Sequence, residues 1–521
     1  MLKRGAKEFS RKDMLWVATG GAEGTQPERR SIEFPYSKYY VMRSDWTQDA
    51  RYFILKNGRY TAHGHYDSLG FEMFAYGNPI FVDPGIFIYG TPGAVRLIST
   101  KSHSTIQVDG ANLQNDGGPS QFFVGYSVDY LNAVGPSYQG LDGSLKAVRR
   151  VAFLKPDYWV ISDVVDGQGE HQVDSRFHYA NKDATLDAKT QIATTTYNKG
   201  GNLALIPVNA AKLSSTLEEA DTAYVHEKLA PALLLRQSVK ADLPLRLDNL
   251  AYPYKGASSD ASITTLTPVA DKSVETSGFK IETGGGTDYV VFTKGTSGVA
   301  EFKEFGLRVK GQFACVRQDK KGVVKSFAWT WATKLENGEL LADSKQFVPG
   351  LDVVYDGDVM RITVRGEDPS LRIAVFGRQK ASVNGGSVQD IKQKRGMFSP
   401  FAKDEPKPAQ SVIVDNETAG FVIEKPIKGS SVGGDDQVGY NYYWAHVAPG
   451  REGLFSYSPA LNSAGVYDVS VYVPKFQLVE ITREAHYVLA FRPGGKWTKP
   501  SDKCIAGFDE STVASGRVTI I

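Results

Sequence analysis

"GRYTAHGHYDSLGFEMFAYGNPIFVDPG", residues 58–85, sets two histidines one residue apart, ahead of an apolar run that ends in Asp-Pro-Gly. Residues i and i+2 of a strand share a face, so His63 and His65 are expected to project side by side. Asp83 closes the strand "NPIFVD". Pro84 and Gly85 stop the ladder there and leave the carboxylate at a sheet rim. A third histidine lies in "STKSHSTIQVDG", residues 99–110, where His103 is expected to open an alternating strand that closes at Asp109-Gly110.

Short alternating runs separated by turn signals recur on both sides of this stretch, as in "YWVISDVVDGQGEHQVDSRFHYA" (158–180) and "GVYDVSVYVPK" (465–475). This is the pattern of antiparallel β-structure. The best helical candidate is "STLEEADTAYVHEKLAPALLL" (215–235), much of which suits a loop or strand equally well. The fold class is therefore all-β, a large two-sheet antiparallel sandwich followed by smaller β-rich domains. Residues 1–34 read as a short helix or loop leading in, 35–305 as the sandwich, and 306–400 as a second β-rich domain. A polar, proline-containing linker follows at 401–410, then a separate β unit at 411–521.

The 521 residues carry a formal charge of +2, so no general field favours nucleic acid or a membrane surface. Cys315 and Cys504 lie far apart, which speaks against a disulfide framework and a zinc knuckle and leaves two ordinary buried thiols. The basic start has an apolar stretch only from Met14 to Thr19, shorter than the roughly 7–15 residues of a signal core, so no export signal is read here. No segment approaches the roughly 20 apolar residues of a membrane span.

Two imidazoles and one carboxylate, drawn from His63, His65, His103 and Asp83, make a tetrahedral zinc set with an open fourth position. Two of the three histidines suffice, and the spare one would exchange protons near neutral pH beside the metal. His-x-His followed by a glutamate also suggests a cupin-like site. Here, however, six residues separate His65 from Glu72, which alternates with Phe71 and Met73 as a strand residue would.

The run "YYVMRSDWTQDARYFILKNGRYTAHGHYDSLGFEMFAYGNPIFVDPGIFIYG" (39–90), with "KSHSTIQVDGANLQ" (101–114), resembles the β-sandwich half of heparinase II/III-like polysaccharide lyases. The markers are Arg-x-x-Trp, Gly-His-x-Asp, Asp-Pro-Gly, a tyrosine soon after, and Ser-His-x-Thr ending in Asp-Gly. Several in one order are far more specific than one alone. The resemblance implies His65, Asp83 and His103 as zinc ligands, His63 as the adjacent catalytic histidine and Tyr89 as an active-site tyrosine. Arg43 and Arg96 are candidates for holding carboxylate or sulfate groups, because a guanidinium pairs with planar anions in bidentate fashion. The implied reaction is β-elimination on an acidic, uronic-acid polysaccharide such as heparin, heparan sulfate or alginate.

In that family an N-terminal helical toroid forms the other wall of the cleft. The 34 residues ahead of the sandwich hold no run of paired amphipathic helices, so a missing toroid and weak activity of this chain alone are expected. Periplasmic or secreted placement is implied for a full-length protein. The last unit, from "VIVDNETAGFVIEK" (412–425), resembles a golvesin or xanthan-lyase type of carbohydrate-binding sandwich, on Val-Asp-Asn, Gly-Phe, the aromatics from Tyr440 to Trp444 and Ala-Gly-x-Tyr-x-Val. The competing reading is a non-catalytic carbohydrate-binding or cell-envelope protein that keeps the sandwich.

Overall fold

The computed structural model describes residues 2–401 apart from 60–63, 89, 116, 209, 226, 270–272, 274, 294–297, 367 and 392–395. Beyond 401 it describes the backbone of eight short strands between 421 and 520. Residues 1–117, 122–367 and 371–400 form one compact unit, and a second comprises 401–521 with the segments 118–121 and 368–370.

Two short helices, Leu2–Glu8 and Lys12–Ala18, lead into a sheet of β1 (Ile32–Phe34), β2 (Tyr39–Arg43), β3 (Arg51–Lys56), β4 (Gly70–Ala75) and β5 (Asn78–Phe81), paired in that order and antiparallel. Alternation decides its two faces. Tyr40, Met42, Phe53, Leu55, Phe71, Met73 and Ala75 point into the core, whereas Tyr39, Lys56, Ile54 and Glu72 stand on the other face, half-buried. A second sheet pairs strands Ser214–Val225, Lys228–Asp242 and Glu170–His178 with β6 (Ile106–Val108). Val82 donates to the His178 carbonyl and Ala180 to that of Ile80, which joins this sheet to β5.

The middle layer runs from Ala184–Leu186 through Ala193–Thr195, Asn202–Pro207, Leu245–Tyr254, Tyr158–Asp166 and Lys146–Leu154 to Val128–Val134. One of its faces packs on the two outer sheets through Val151, Phe153, Trp159 and Ile161, together with Phe53, Phe71 and Phe177. Its other face packs Tyr130, Leu154, Tyr158 and Val160 against Phe279, Phe292, Phe313 and Cys315 of a third sheet. That sheet spans Ser262–Leu266 to Gln389–Asp390 and includes the long strands Leu307–Asp319, Val324–Asn337 and Glu339–Asp356. The two-sheet sandwich is present, and the third sheet covers its back.

The 215–235 stretch forms a long antiparallel hairpin, with Leu217 opposite Leu235 and Asp221 opposite Pro231. Proline lacks the N–H that a helix interior needs and clashes with the preceding turn, and cross-strand packing of leucines on a half-buried sheet overrides local helix preference. His103 follows a short 3-10 turn at Thr100–Ser102, and the strand starts only at Ile106. Between them and β5 lies a further helix, Pro92–Ile98, which Thr91 caps by accepting from the Ala94 N–H.

In the second unit the described backbone pairs Phe421–Lys425 with Leu454–Tyr457, Ser431–Gly433 with Tyr442–Trp444, Gly465–Val471 with Ala514–Ile520 and His486–Val488 with Ile505–Gly507, all antiparallel. Residues 402–410 of the linker expected at 401–410, and Cys504, lie outside the described residues. Cys315 is a buried free thiol, as expected.

The ring of Phe177 is fully buried, 5.4 Å from Phe81 and 6.1 Å from Phe71 between ring centres. Phe177→Ala should therefore cost about 3–5 kcal/mol of stability, read from the urea midpoint of the whole chain.

Candidate functional site

The solvent-side face of the β1–β5 sheet forms the floor of a cleft of about 570 Å³. Tyr39, Lys56 and Glu72 rise from that floor. His65 and Asp67 come from the β3–β4 loop, Asp83 from the exit of β5 and His103 from the turn before β6. Tyr224, near the tip of the 214–242 hairpin, stands at the cleft and is 59% exposed.

Each of the three expected ligands is held by a different backbone device. The Gly85 N–H donates to Asp83 Oδ1 at 2.8 Å, which turns Oδ2 toward the imidazoles. Gly85 has φ +80°, and a Cβ there would meet the Ala223 carbonyl oxygen at 2.7 Å, so this turn requires glycine. The close approach is used, because the Ala223 N–H donates to the Pro84 carbonyl at 2.7 Å and ties the hairpin tip to the Asp83 turn. His103 is buried, and its Nδ1 stands 2.9 Å from the Ser99 carbonyl, which can only accept. Nδ1 therefore carries the proton and Nε2 offers its lone pair to the cluster. The His65 loop is fastened by the Tyr66 N–H to the Ile98 carbonyl at 2.8 Å, and by the Thr100 hydroxyl to the Tyr66 carbonyl at 2.6 Å.

The result brings His65, Asp83 and His103 together with Asp67, their ligand atoms all within 4.8 Å of one another. His65 Nδ1 lies 2.9 Å from His103 Nε2, and Asp83 Oδ2 lies 3.4 Å from His103 Nε2 and 3.8 Å from His65 Nδ1. Two nitrogens bound to one tetrahedral ion at the usual zinc distance stand about 3.3 Å apart. The two imidazole nitrogens and the carboxylate oxygen thus need shifts of only a few tenths of an ångström to share a metal. Asp67, absent from the expected ligand set, gives both oxygens to Lys56 Nζ at 2.8 Å.

The electrostatics follow from burial and proximity. Burial would raise the Asp83 carboxyl, but the hydrogen bonds and charges of His103 and His65 outweigh it and hold it well below the usual carboxylate range. Burial lowers His103, and the Asp83 carboxylate more than reverses this, so its pKa is raised. Glu72 is pushed up to about 6, first by burial and then by the charge of Asp83. His178, buried close to the cluster, is driven down to about 4 by burial and then by the charge of His103.

The remaining expected residues fall differently. His65 sits in a loop, so the two-residue strand repeat is not what orients it. His63 and Tyr89 lie outside the described residues. Arg43 shares the sheet face of Lys56 and Glu72 but lies beyond the cleft lining, its guanidinium between Trp46 at 4.2 Å and Tyr52 at 4.4 Å. Arg96 is ion-paired with Asp221. Lys56, Asp67, Tyr39 and Tyr224 were not expected at the site, and Glu72 was weighed only against a cupin-like pattern that it does not fit. Asp67 had a signal in sequence, since it closes the Gly-His-x-Asp marker.

With this geometry in place, the comparisons are specific. Residues 26–263, which contain the whole cluster and the hairpin, match the model described as "Heparinase II/III-like, C-terminal". Over this segment the chain is similar to the C-terminal domain of heparinase II/III-like proteins. A heparin-sulfate lyase of Pedobacter heparinus is 27% identical over 253 residues, covering 46% of this chain and 38% of that protein. One of Bacteroides stercoris is 26% identical over 208 residues, covering 38% of this chain and 31% of that protein. The crystal structure of heparan sulfate lyase HepC from Pedobacter heparinus superposes with a TM-score of 0.51 at 23% identity, covering 56% of this chain and 47% of that one, a likeness of fold. The chain thus spans well under half the length of these two curated relatives.

Glu72 supplies a pH test of the cleft. Its carboxyl titrates near 4.5 unfolded and about 6 folded, so between these values the folded protein holds a proton that the unfolded chain has released. Its contribution to stability is full below pH 4.5 and is lost as the pH rises through 6. Glu72→Gln should remove that loss, leaving the metal-free variant more stable than the parent above this window by about 1–2 kcal/mol and no different below it, in denaturant titrations at both ends.

Proposed function

We propose that this chain contributes the β-sandwich side of a polysaccharide lyase cleft acting by β-elimination on a uronic-acid polysaccharide, heparan sulfate before alginate. The observation that carries the reading is the His65–Asp83–His103 cluster at the cleft, within a segment matching the heparinase II/III-like C-terminal model. The lyase names of the relatives in the Pedobacter and Bacteroides species point to heparan sulfate.

In the reaction the C5 proton of the uronate is removed, its electron pair forms the C4=C5 bond, and the C4–O bond breaks with protonation of the leaving oxygen. His63 is assigned the proton-transfer role two positions before His65, and Tyr89 the companion role four positions after Gly85, because imidazole and phenol suit these transfers. His65, Asp83 and His103 would hold zinc, and a bound dication supplies positive charge and fixes the loops without acting on a water nucleophile. Lys56, the permanent cation among the described lining residues, adds charge for the substrate carboxylate. Arg43 and Arg96 are assigned peripheral contacts to carboxylate or sulfate groups. Arg43 has its plane preset by two aromatic faces, whereas Arg96 would exchange its Asp221 partner. A polymeric acidic substrate fits periplasmic or secreted placement, and sugar binding by residues 411–521 rests on their sequence resemblance.

Two measurements test this. The metal-loaded chain, given heparan sulfate, alginate and hyaluronan in turn, should bind heparan sulfate and slowly release product with the ultraviolet absorbance of an unsaturated uronate, the release being lost in His63→Ala. Neither binding nor product with any of the three would reject the lyase reading. Zinc content should fall from one ion per chain to a small fraction in His65→Ala, and an unchanged content would remove the cluster from the site.

A further inference from the structure

We propose that Arg149, which does not itself line the cleft, is the positioning residue that sets the distance between two of the metal-ligand segments; this rests on the metal reading above. Arg149 lies on strand Lys146–Leu154 of the middle sheet and is fully buried. Its Nε and Nη2 donate to the two oxygens of Asp163, each at 2.7 Å. Its Nη1 donates to two carbonyls at once, Leu69 at 2.8 Å and Ser104 at 2.8 Å. Leu69 follows Asp67 by two residues in the loop that carries His65, and Ser104 directly follows His103.

A guanidinium is planar, and the two N–H bonds of one terminal nitrogen diverge at a fixed angle. One rigid plane, anchored through Asp163 to the middle sheet, therefore fixes the Leu69 and Ser104 carbonyls relative to each other. Asp163 also accepts from the Ser175 hydroxyl at 2.8 Å, so the anchor cannot swing. Between the same segments the Thr105 hydroxyl donates to the Ser68 carbonyl at 2.6 Å, and from strand Glu170–His178 the His178 N–H donates to the Ser104 hydroxyl at 2.9 Å. A metal site tolerates errors of only about 0.2 Å in ligand distance, so a tether of this kind acts on affinity. A lysine would keep the charge beside Asp163 but has no plane to span both carbonyls.

Arg317 provides the control. It is a second largely buried arginine of the same unit, bonded to Asp288 at 3.2 Å and Asp157 at 2.6 Å, on the far side of the middle sheet from the cluster. Zn2+ affinity of the metal-stripped full chain is measured by competition with a chromogenic chelator, and the visible spectrum of the Co2+ form reports ligand geometry. Arg149→Lys and the paired Arg149→Met/Asp163→Leu should each weaken Zn2+ by about 10–100-fold and alter the Co2+ bands. Arg317→Lys should lower the melting temperature yet leave both readouts unchanged. Wild-type affinity and spectrum in Arg149→Lys would overturn the proposal, as would equal losses in the Arg149 and Arg317 variants. Failure of the wild-type chain to take up either ion would instead overturn the metal reading itself.

Discussion

Strand Tyr158–Asp166 has no face to give to solvent, since Tyr158 to Val165 are all buried between two packed layers. A charge on this strand must therefore be paired inside the protein, since an unpaired one there would be costly. Arg149 and Asp163 meet this condition through each other and through backbone groups of the outer layer. Chemistry needs solvent access, so it is displaced to the loops of the outer β1–β5 sheet. The deep layer supplies rigidity and the shallow layer supplies the reactive groups.

The cleft is short of positive charge for an acidic polymer. Among the described lining residues Asp67, Glu72 and Asp83 face a single permanent cation, Lys56, and that ammonium is already shared with Asp67. Desolvation responds by raising Glu72 toward neutrality, whereas Asp83 is kept ionised by two imidazoles. A dication at the cluster would bring the balance close to zero. The same acidic residues that would repel a uronate in the bare cleft are thus what makes the cluster a good cation site.

How far the sequence spoke for this site depends on the kind of constraint. Asp83 and Gly85 were legible because Asp-Pro-Gly ends a strand, and the expectation of a rim carboxylate depends only on local backbone rules. His65 and His103 were legible through their markers, but not through strand periodicity, since both sit in turns just before a strand begins. The 215–235 stretch was ambiguous because its charges and leucines fit both periods, and the pairing partner that decides between them is its own continuation at 228–242. Glu72 looked like an ordinary strand residue. Its raised pKa comes from burial and from Asp83, eleven positions on, neither of which local pattern contains. Arg149 was invisible for the same reason, its partners being 14, 45 and 80 residues away.

The hairpin adds a last constraint on how the site works. Its tip is bonded to the Pro84 carbonyl through Ala223, so the residue that positions Asp83 also positions Tyr224. Ala223 is buried while Tyr224 is exposed, at the register shift between Thr222 and Val225. Any shift of the Asp83 turn on metal uptake is therefore transmitted to an aromatic ring at the cleft. That ring offers a flat apolar surface beside an otherwise polar floor, which is the combination a sugar with one apolar face and charged substituents presents in reverse. On the proposed reading, metal binding and sugar contact would meet at one backbone junction, where the Ala223 carbonyl leaves no room for a Cβ at Gly85.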